Sequence, residues 1–137
     1  MGQGRVAGQS ERPLIHLDTH VVCWLYDGAV EKLSTAAQAA IRGGRLAVSP
    51  LIELEITYLH EIGRFRDEAT TVLGVLAGHL GVHVSQTPYA QIVAHAVEIT
   101  WTRDAFDRLI IAHAAADRAQ LVTRDSLIRA HFPGAIW

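Results

Sequence analysis

The feature that most limits the fold is a set of short apolar runs, each followed within a few residues by a helical pattern. Leu14, Ile15 and Leu17 run into Asp18, and the spacing Val21, Val22, Leu25 begins directly after Thr19. Leu46 to Val48 lead into Ser49 and Pro50, a strong helix start because proline suits the first helical position. Val82 to Val84 follow Gly81, Leu121 and Val122 end at Thr123 with a short helix beginning near Asp125, and Ala135 to Trp137 read as a last strand. Strands this short and apolar, alternating with helices, predict an α/β fold with a parallel sheet covered on both faces.

The helices have their own signals. Ser34 is a good N-cap for TAAQAAIR, which stops at Gly43 and Gly44. The helix opened by Pro50 is expected to run to about Gly63, another covers Glu68 to about Leu80, and Pro88 opens one ending near Trp101. The stretch Ala105 to Ala119 carries Leu109, Ile110 and Ala114 on one side of a further helix.

A chain of 137 residues fits one domain, expected over residues 13–137. Residues 1–12, with little apolar content, read as a flexible leader. They lack the apolar core of a secretion signal, and no run approaches the roughly 18 apolar residues of a membrane span. The single Cys23 cannot form an internal disulfide; with no membrane segment, the expected location is the cytoplasm.

In open α/β sheets ligands bind beyond the carboxyl ends of the strands. Asp18 stands directly after the first strand and Asp125 shortly after the LVT strand. For either alone a helix cap is the plainer role, so the case rests on several acids together. Asp107 lies in the first turn of the DAFDRLIIAHA helix, with Asp104 as the candidate N-cap. On the third helix Glu53 and Glu55 lie about 200° apart and cannot share a site. Glu55 shares a stripe with Leu51, Tyr58, Leu59 and Ile62, where an unpaired carboxylate needs a cationic partner, so Glu55 is the choice. Converging carboxylates without thiolates suit a hard cation, Mg²⁺ or Mn²⁺, and phosphoryl-transfer chemistry. The net charge of −2 is unusual for a nucleic-acid binder. If four acids hold metal, however, twelve cations face ten anions, which leaves +2.

LIHLDTHVVCWL, SPLIELEITYLHEIGR, TRDAFDRLIIAHA and LVTRD resemble, in order and spacing, the motifs of PIN-domain proteins, most closely the VapC toxins of toxin–antitoxin pairs. The resemblance runs from Leu14 to Trp137 and puts the family's acids on Asp18, Glu55, Asp107 and Asp125. Thr123 matches the hydroxyl residue that accompanies the last acid, and Asp104 a secondary acidic position. It implies a five-stranded parallel sheet between helices and a Mg²⁺- or Mn²⁺-dependent endoribonuclease cutting structured RNA such as tRNA or rRNA. It also implies a homodimer silenced by a VapB-like antitoxin, with promoter DNA bound only through that antitoxin.

Of the arginines flanking the acids, Arg124 is the strongest candidate for a phosphate contact, ahead of Arg103 and Arg108. Trp24, Trp101 and Trp137 could stack on bases, but Trp24 fits a packing stripe. The i, i+4 pairs His16/His20 and His79/His83 cross element boundaries, which argues against zinc. His113 is expected in the core or on a partner surface. Exposed apolar positions near Leu33 and Leu59 would suit a dimer contact. The competing functions are a PIN-type RNA-processing nuclease without antitoxin, a small-molecule phosphohydrolase, and a non-catalytic binding module. The phosphohydrolase lacks support because DTH has no second acid and the chain has no Gly-rich phosphate loop.

Overall fold

The computed structural model describes residues 11–137, so the expected leader lies, but for Glu11 and Arg12, outside the described residues. Five strands, β1 (Leu14–Leu17), β2 (Arg45–Val48), β3 (His83–Val84), β4 (Gln120–Val122) and β5 (Ala135–Ile136), form one sheet in the order β3-β2-β1-β4-β5. All four pairings are parallel. The strands show no alternation of burial: Ile15, His16 and Leu17, like Leu46, Ala47 and Val48, are all buried, because helices cover both faces. This is the three-layer α/β fold that the short apolar runs predict.

The covering helices are α1 (Thr19–Asp27), α2 (Thr35–Gly43), α3 (Pro50–Glu61), α4 (Ala69–Leu80), α5 (Tyr89–Ala96), α6 (Ala105–Ala116) and α7 (Ser126–His131). Their starts follow the capping signals. Ser34 Oγ accepts from the Ala37 amide, and Ser49 Oγ from the Leu51 amide ahead of Pro50. Gly81 ends α4 with φ +69°, in the left-handed region open to glycine.

Three expectations need correction. α5 stops at Ala96 rather than near Trp101: the chain tightens into a turn in which the Ile99 amide donates to the Ala96 carbonyl at 3.1 Å, and the Arg108 guanidinium of α6 takes the same oxygen at 2.9 and 3.2 Å. α6 stops at Ala116 rather than Ala119: Arg118 adopts φ +54° and the Ala119 amide returns to the Ala114 carbonyl. Leu33, placed near an exposed apolar face, is buried behind a 3₁₀ turn over Val30–Lys32, and Val30 is the exposed residue there.

Gly44, between α2 and β2, is needed for space. A Cβ there would lie 2.3 Å from Ile15 Cγ1 and about 3 Å from two carbonyl oxygens, whereas one at Gly43 would meet nothing within 4 Å. Gly44→Ala is therefore predicted to destabilise the fold by about 1–3 kcal/mol through overpacking against β1. Gly43→Ala, at the end of α2, should leave stability unchanged or raise it by up to about 1 kcal/mol. Urea unfolding midpoints distinguish the two, and equal midpoints would contradict the packing argument.

Candidate active site

The chain leaves β1 for β2 and β3 on one side and reaches β4 and β5 on the other, so the strand order reverses between β1 and β4. The crevice beyond the carboxyl ends of those two strands is where open α/β sheets bind ligands. Asp18 sits at this point. Its amide donates to the Val122 carbonyl of β4 at 3.1 Å, and its Oδ1 accepts from the Thr19 amide at 2.8 Å as the N-cap of α1. Its Oδ2 accepts from Thr123 Oγ1 at 2.7 Å. Thr123, wholly buried, also accepts from the Asp125 amide at 3.1 Å, so one hydroxyl braces the two acids that end β1 and β4. Asp125 in turn caps α7, with Oδ1 accepting from the Ile128 amide. Helix capping and membership of the cluster thus coexist at both positions.

The other two acids come from helices. Asp104 caps α6 by accepting from the Asp107 amide at 2.9 Å, which leaves the Asp107 carboxylate free for the crevice. On α3, Ile52 and Ile56 carry the core at 0 % exposure, while Tyr58 and Ile62 are exposed and Leu51 and Leu59 half-buried. The stripe holding Glu55 therefore forms a cleft wall rather than core, a correction to the burial argument for this residue. Glu53 is exposed on another side of the helix.

Asp18, Glu55, Asp107, Asp125 and Arg124 line one cleft of about 360 Å³ together with Thr19, His20 and Trp24. A second cleft of about 650 Å³ shares Thr19, His20, Glu55 and Asp107 with it, adds Asp104, and continues over Leu54, Tyr58 and Phe106. In the sequence, adjacency to Asp18 is the only signal that Thr19 and His20 belong here.

The crowding of acids is costly. Burial, then repulsion from Asp18, with Asp107 and Asp104 adding to it, pushes Glu55 up to about 7. The Thr19 hydroxyl pulls it down without closing a hydrogen bond: Glu55 Oε1 and Thr19 Oγ1 are both buried and unpartnered. Burial, then Asp104, Asp18 and Asp125, pushes Asp107 up to about 6. An all-oxygen donor set with an orphaned buried carboxylate oxygen and mutually repelling acids is chemically fitted to a hard dication. Among the described residues, the acids are spread wider than a closed ligand shell, since no three bring an oxygen each within 4.8 Å of the others. Three of them could ligate one ion directly only after side-chain movement, with waters filling the remaining positions.

The arginines divide. Arg108 is committed to the Ala96 carbonyl and Arg103 donates to the Thr100 carbonyl at 2.8 Å. Arg124 remains in the cleft, its guanidinium 6.0 Å from the Trp24 ring centroid. Trp24 packs partly on the core and lies 6.0 Å from Trp137, while Trp101 stacks on His131 at 4.7 Å.

A family model for the PIN domain matches residues 15–131. Ribonuclease VapC22 of Mycobacterium tuberculosis is 33 % identical over 127 residues, which span 88 % of this chain and 96 % of that protein. VapBC2 of Rickettsia felis, solved with a DNA fragment from their promoter, matches with a TM-score of 0.61 at 17 % identity, over 89 % of this chain and 95 % of that one. A toxin–antitoxin complex from Klebsiella pneumoniae gives 0.60 at 17 % identity, over 90 % and 96 %. At such identity these structures speak for the fold alone. The sheet order, the motif spacing along almost the whole chain and the mycobacterial relative agree, and the chain belongs to the PIN-domain family, on its VapC branch.

Proposed function

We propose that this chain is a divalent-metal-dependent endoribonuclease, the toxin of a toxin–antitoxin pair, with Asp18, Glu55, Asp107 and Asp125 as its catalytic acids. The observation that carries the reading is the convergence of these four carboxylates, from β1, α3, α6 and the end of β4, on one cleft at the reversal of strand order. Asp18, Asp107, Asp125 and Glu55 would hold Mg²⁺ or Mn²⁺, which when bound supplies Lewis-acid activation of water and of the scissile phosphate. Burial and the neighbouring acids push Glu55 up to about 7 in the metal-free chain, a repulsion that a bound dication would relieve. Thr123 fixes the rotamers of Asp18 and the start of α7, and Arg124 with Trp24 offers a phosphate a cation and a base a stacking face.

The substrate class we assign is structured RNA such as tRNA or rRNA; the name of the ribonuclease relative supports RNA, and the finer class is our proposal. The assigned partner is a VapB-like antitoxin, through which alone promoter DNA would be bound. Leu54, Tyr58 and Phe106, 38–58 % exposed along the larger cleft beside the acids, give an antitoxin an apolar seat next to the cluster it silences. We assign the toxin to the cytoplasm and to a homodimer; among the described residues no helix is long and apolar enough to cross a membrane.

Cleavage of total RNA by the purified chain, stripped of any co-purified partner, tests this. With Mg²⁺ or Mn²⁺ discrete fragments are expected, and they should vanish in EDTA. Asp18→Asn should lower the rate about 10²-fold or more, and Thr123→Val, which removes only the brace, by about 10- to 100-fold. Wild-type protein that binds the metal yet leaves RNA uncut would overturn the reading.

The acid crowding also sets a pH dependence of stability without metal. Glu55 and Asp107 titrate at about 7 and about 6 in the folded chain, above their ordinary 4.5 and 3.8. The fold therefore favours their protonated forms; that stabilisation is complete below about pH 4 and is lost as pH rises through 6 to 7. Buried His16 and His113, whose values are lowered, act in the opposite sense at low pH, so the informative quantity is the gap between variant and wild type. In EDTA, Glu55→Gln is predicted to exceed wild type by roughly 1 kcal/mol at pH 8, after solvent screening, with the gap closing towards pH 5. A gap independent of pH in urea unfolding would contradict the assignment.

A further inference from the structure

Apart from the four acids, the fold buries a second group of ionisable side chains that the proposed nuclease chemistry does not use. His16 of β1 and His113 of α6 are each 1 % exposed, and the Asp117 side chain at the end of α6 is 7 % exposed. His16 Nε2 lies 2.7 Å and His113 Nε2 3.7 Å from the same Asp117 Oδ2, with the two rings 5.1 Å apart. Ser85 Oγ donates to that oxygen at 2.8 Å, and Thr87 Oγ1 donates to Oδ1, so both hydroxyls of the β3–α5 connection hold the carboxylate in place.

A buried His–Asp pair alone accounts for His16 Nε2. It does not account for His113 Nε2, which is buried, makes no hydrogen bond and lies 3.7 Å from the same carboxylate oxygen. Leaving such an atom unsatisfied is expensive. One ligand atom from each of the three residues lies within 4.8 Å of the other two. Bonds of about 2.0–2.2 Å to a tetrahedral ion require ligand separations of about 3.3–3.6 Å. The 2.7 Å contact must therefore open and the longer ones close, by side-chain rotation of an ångström or so.

We propose that His16, His113 and Asp117 bind a transition-metal dication of the zinc type, at a site separate from the four-acid cleft. Two imidazoles and one carboxylate are a borderline ligand set, suited to zinc, cobalt or nickel and poorly suited to magnesium. Burial keeps both imidazoles neutral, the form that ligates. The hydroxyls on Asp117 are the outer hydrogen bonds that orient a metal-binding carboxylate. His113 and Thr87 also line a cleft of about 280 Å³ between α3, α5 and α6, the open space nearest to the cluster, although His16 and Asp117 do not reach it. The bound ion would tie β1, which Asp18 directly follows, to α6, which carries Asp107, and both to the β3–α5 connection. The i, i+4 argument against zinc does not reach this site, because His16 pairs across the fold and not with His20. The proposal does not depend on the nuclease reading.

Zinc binding to an acid-silenced chain (Asp18→Asn, Glu55→Gln, Asp107→Asn) decides the matter. One equivalent is expected by equilibrium dialysis. Co²⁺ should give the intense visible absorption of a four-coordinate, imidazole-containing site, and zinc at 100 times its Kd should raise Tm by roughly 5–10 °C. His113→Gln in that background should weaken binding at least about 10-fold. If a variant does not fold, ¹⁵N-resolved imidazole spectra of the wild-type chain, titrated with zinc in excess Mg²⁺, give the same decision: His16 and His113 must shift together. Absence of binding, retention of the ion in His113→Gln, or shifts confined to other histidines would each overturn the proposal and leave a metal-free buried network.

Discussion

The parallel pairing of β1 with β4, two strands more than a hundred residues apart in the chain, is the contact on which the site depends. It lays Leu17 beside Val122 and so brings the residues just past both strands, Asp18 and Thr123, within one hydrogen bond of each other. Everything else at the site is placed relative to that junction. α1 and α7 start from the acids that end the two strands, so the backbone amides that cap these helices also fix the carboxylates. α3 and α6 contribute Glu55 and Asp107 from the walls. The apolar strands are buried on both faces, and the rigidity of that core is what lets the carboxyl ends of two interior strands hold like charges close together.

Holding them together runs against the stability of the metal-free chain. Glu55 and Asp107 are pushed up by burial and by their neighbours, and a carboxylate oxygen of Glu55 and the Thr19 hydroxyl are buried without hydrogen bonds. A fold selected for stability alone would replace such groups. Their convergence at a point of strand-order reversal is the observation on which the proposed metal site rests, since a bound dication would offset the repulsion. The apolar wall that continues from the acids has the same character: Tyr58 and Leu54 are exposed where a partner can cover them.

Much of this was legible in the sequence because it is local. A short apolar run ending in Asp18, a Ser49–Pro50 helix start, and an Asp104 cap that frees Asp107 are all readable within a few residues. Helical spacing separates Glu55 from Glu53, although the face that carries Glu55 turned out to border a cleft and not the core. What was not legible depends on distant residues. α5 ends in a tight turn whose Ala96 carbonyl is shared with Arg108 of the next helix, and Leu33 is buried by a 3₁₀ turn with no strong signal. The His16, His113 and Asp117 cluster joins residues 101 apart, whereas local spacing pointed to other histidine pairs.

The central claim is that the four acids form a metal site whose mutual repulsion a divalent ion relieves. Its most direct test is a ¹³C NMR titration of the Glu55 and Asp107 side-chain carboxyls, with and without saturating Mg²⁺. Titration near 7 and 6 is expected in EDTA, as crowding and burial require, with a fall of both towards or below the ordinary carboxylate range when Mg²⁺ is bound. Ordinary values without metal, unmoved by its addition, would contradict it.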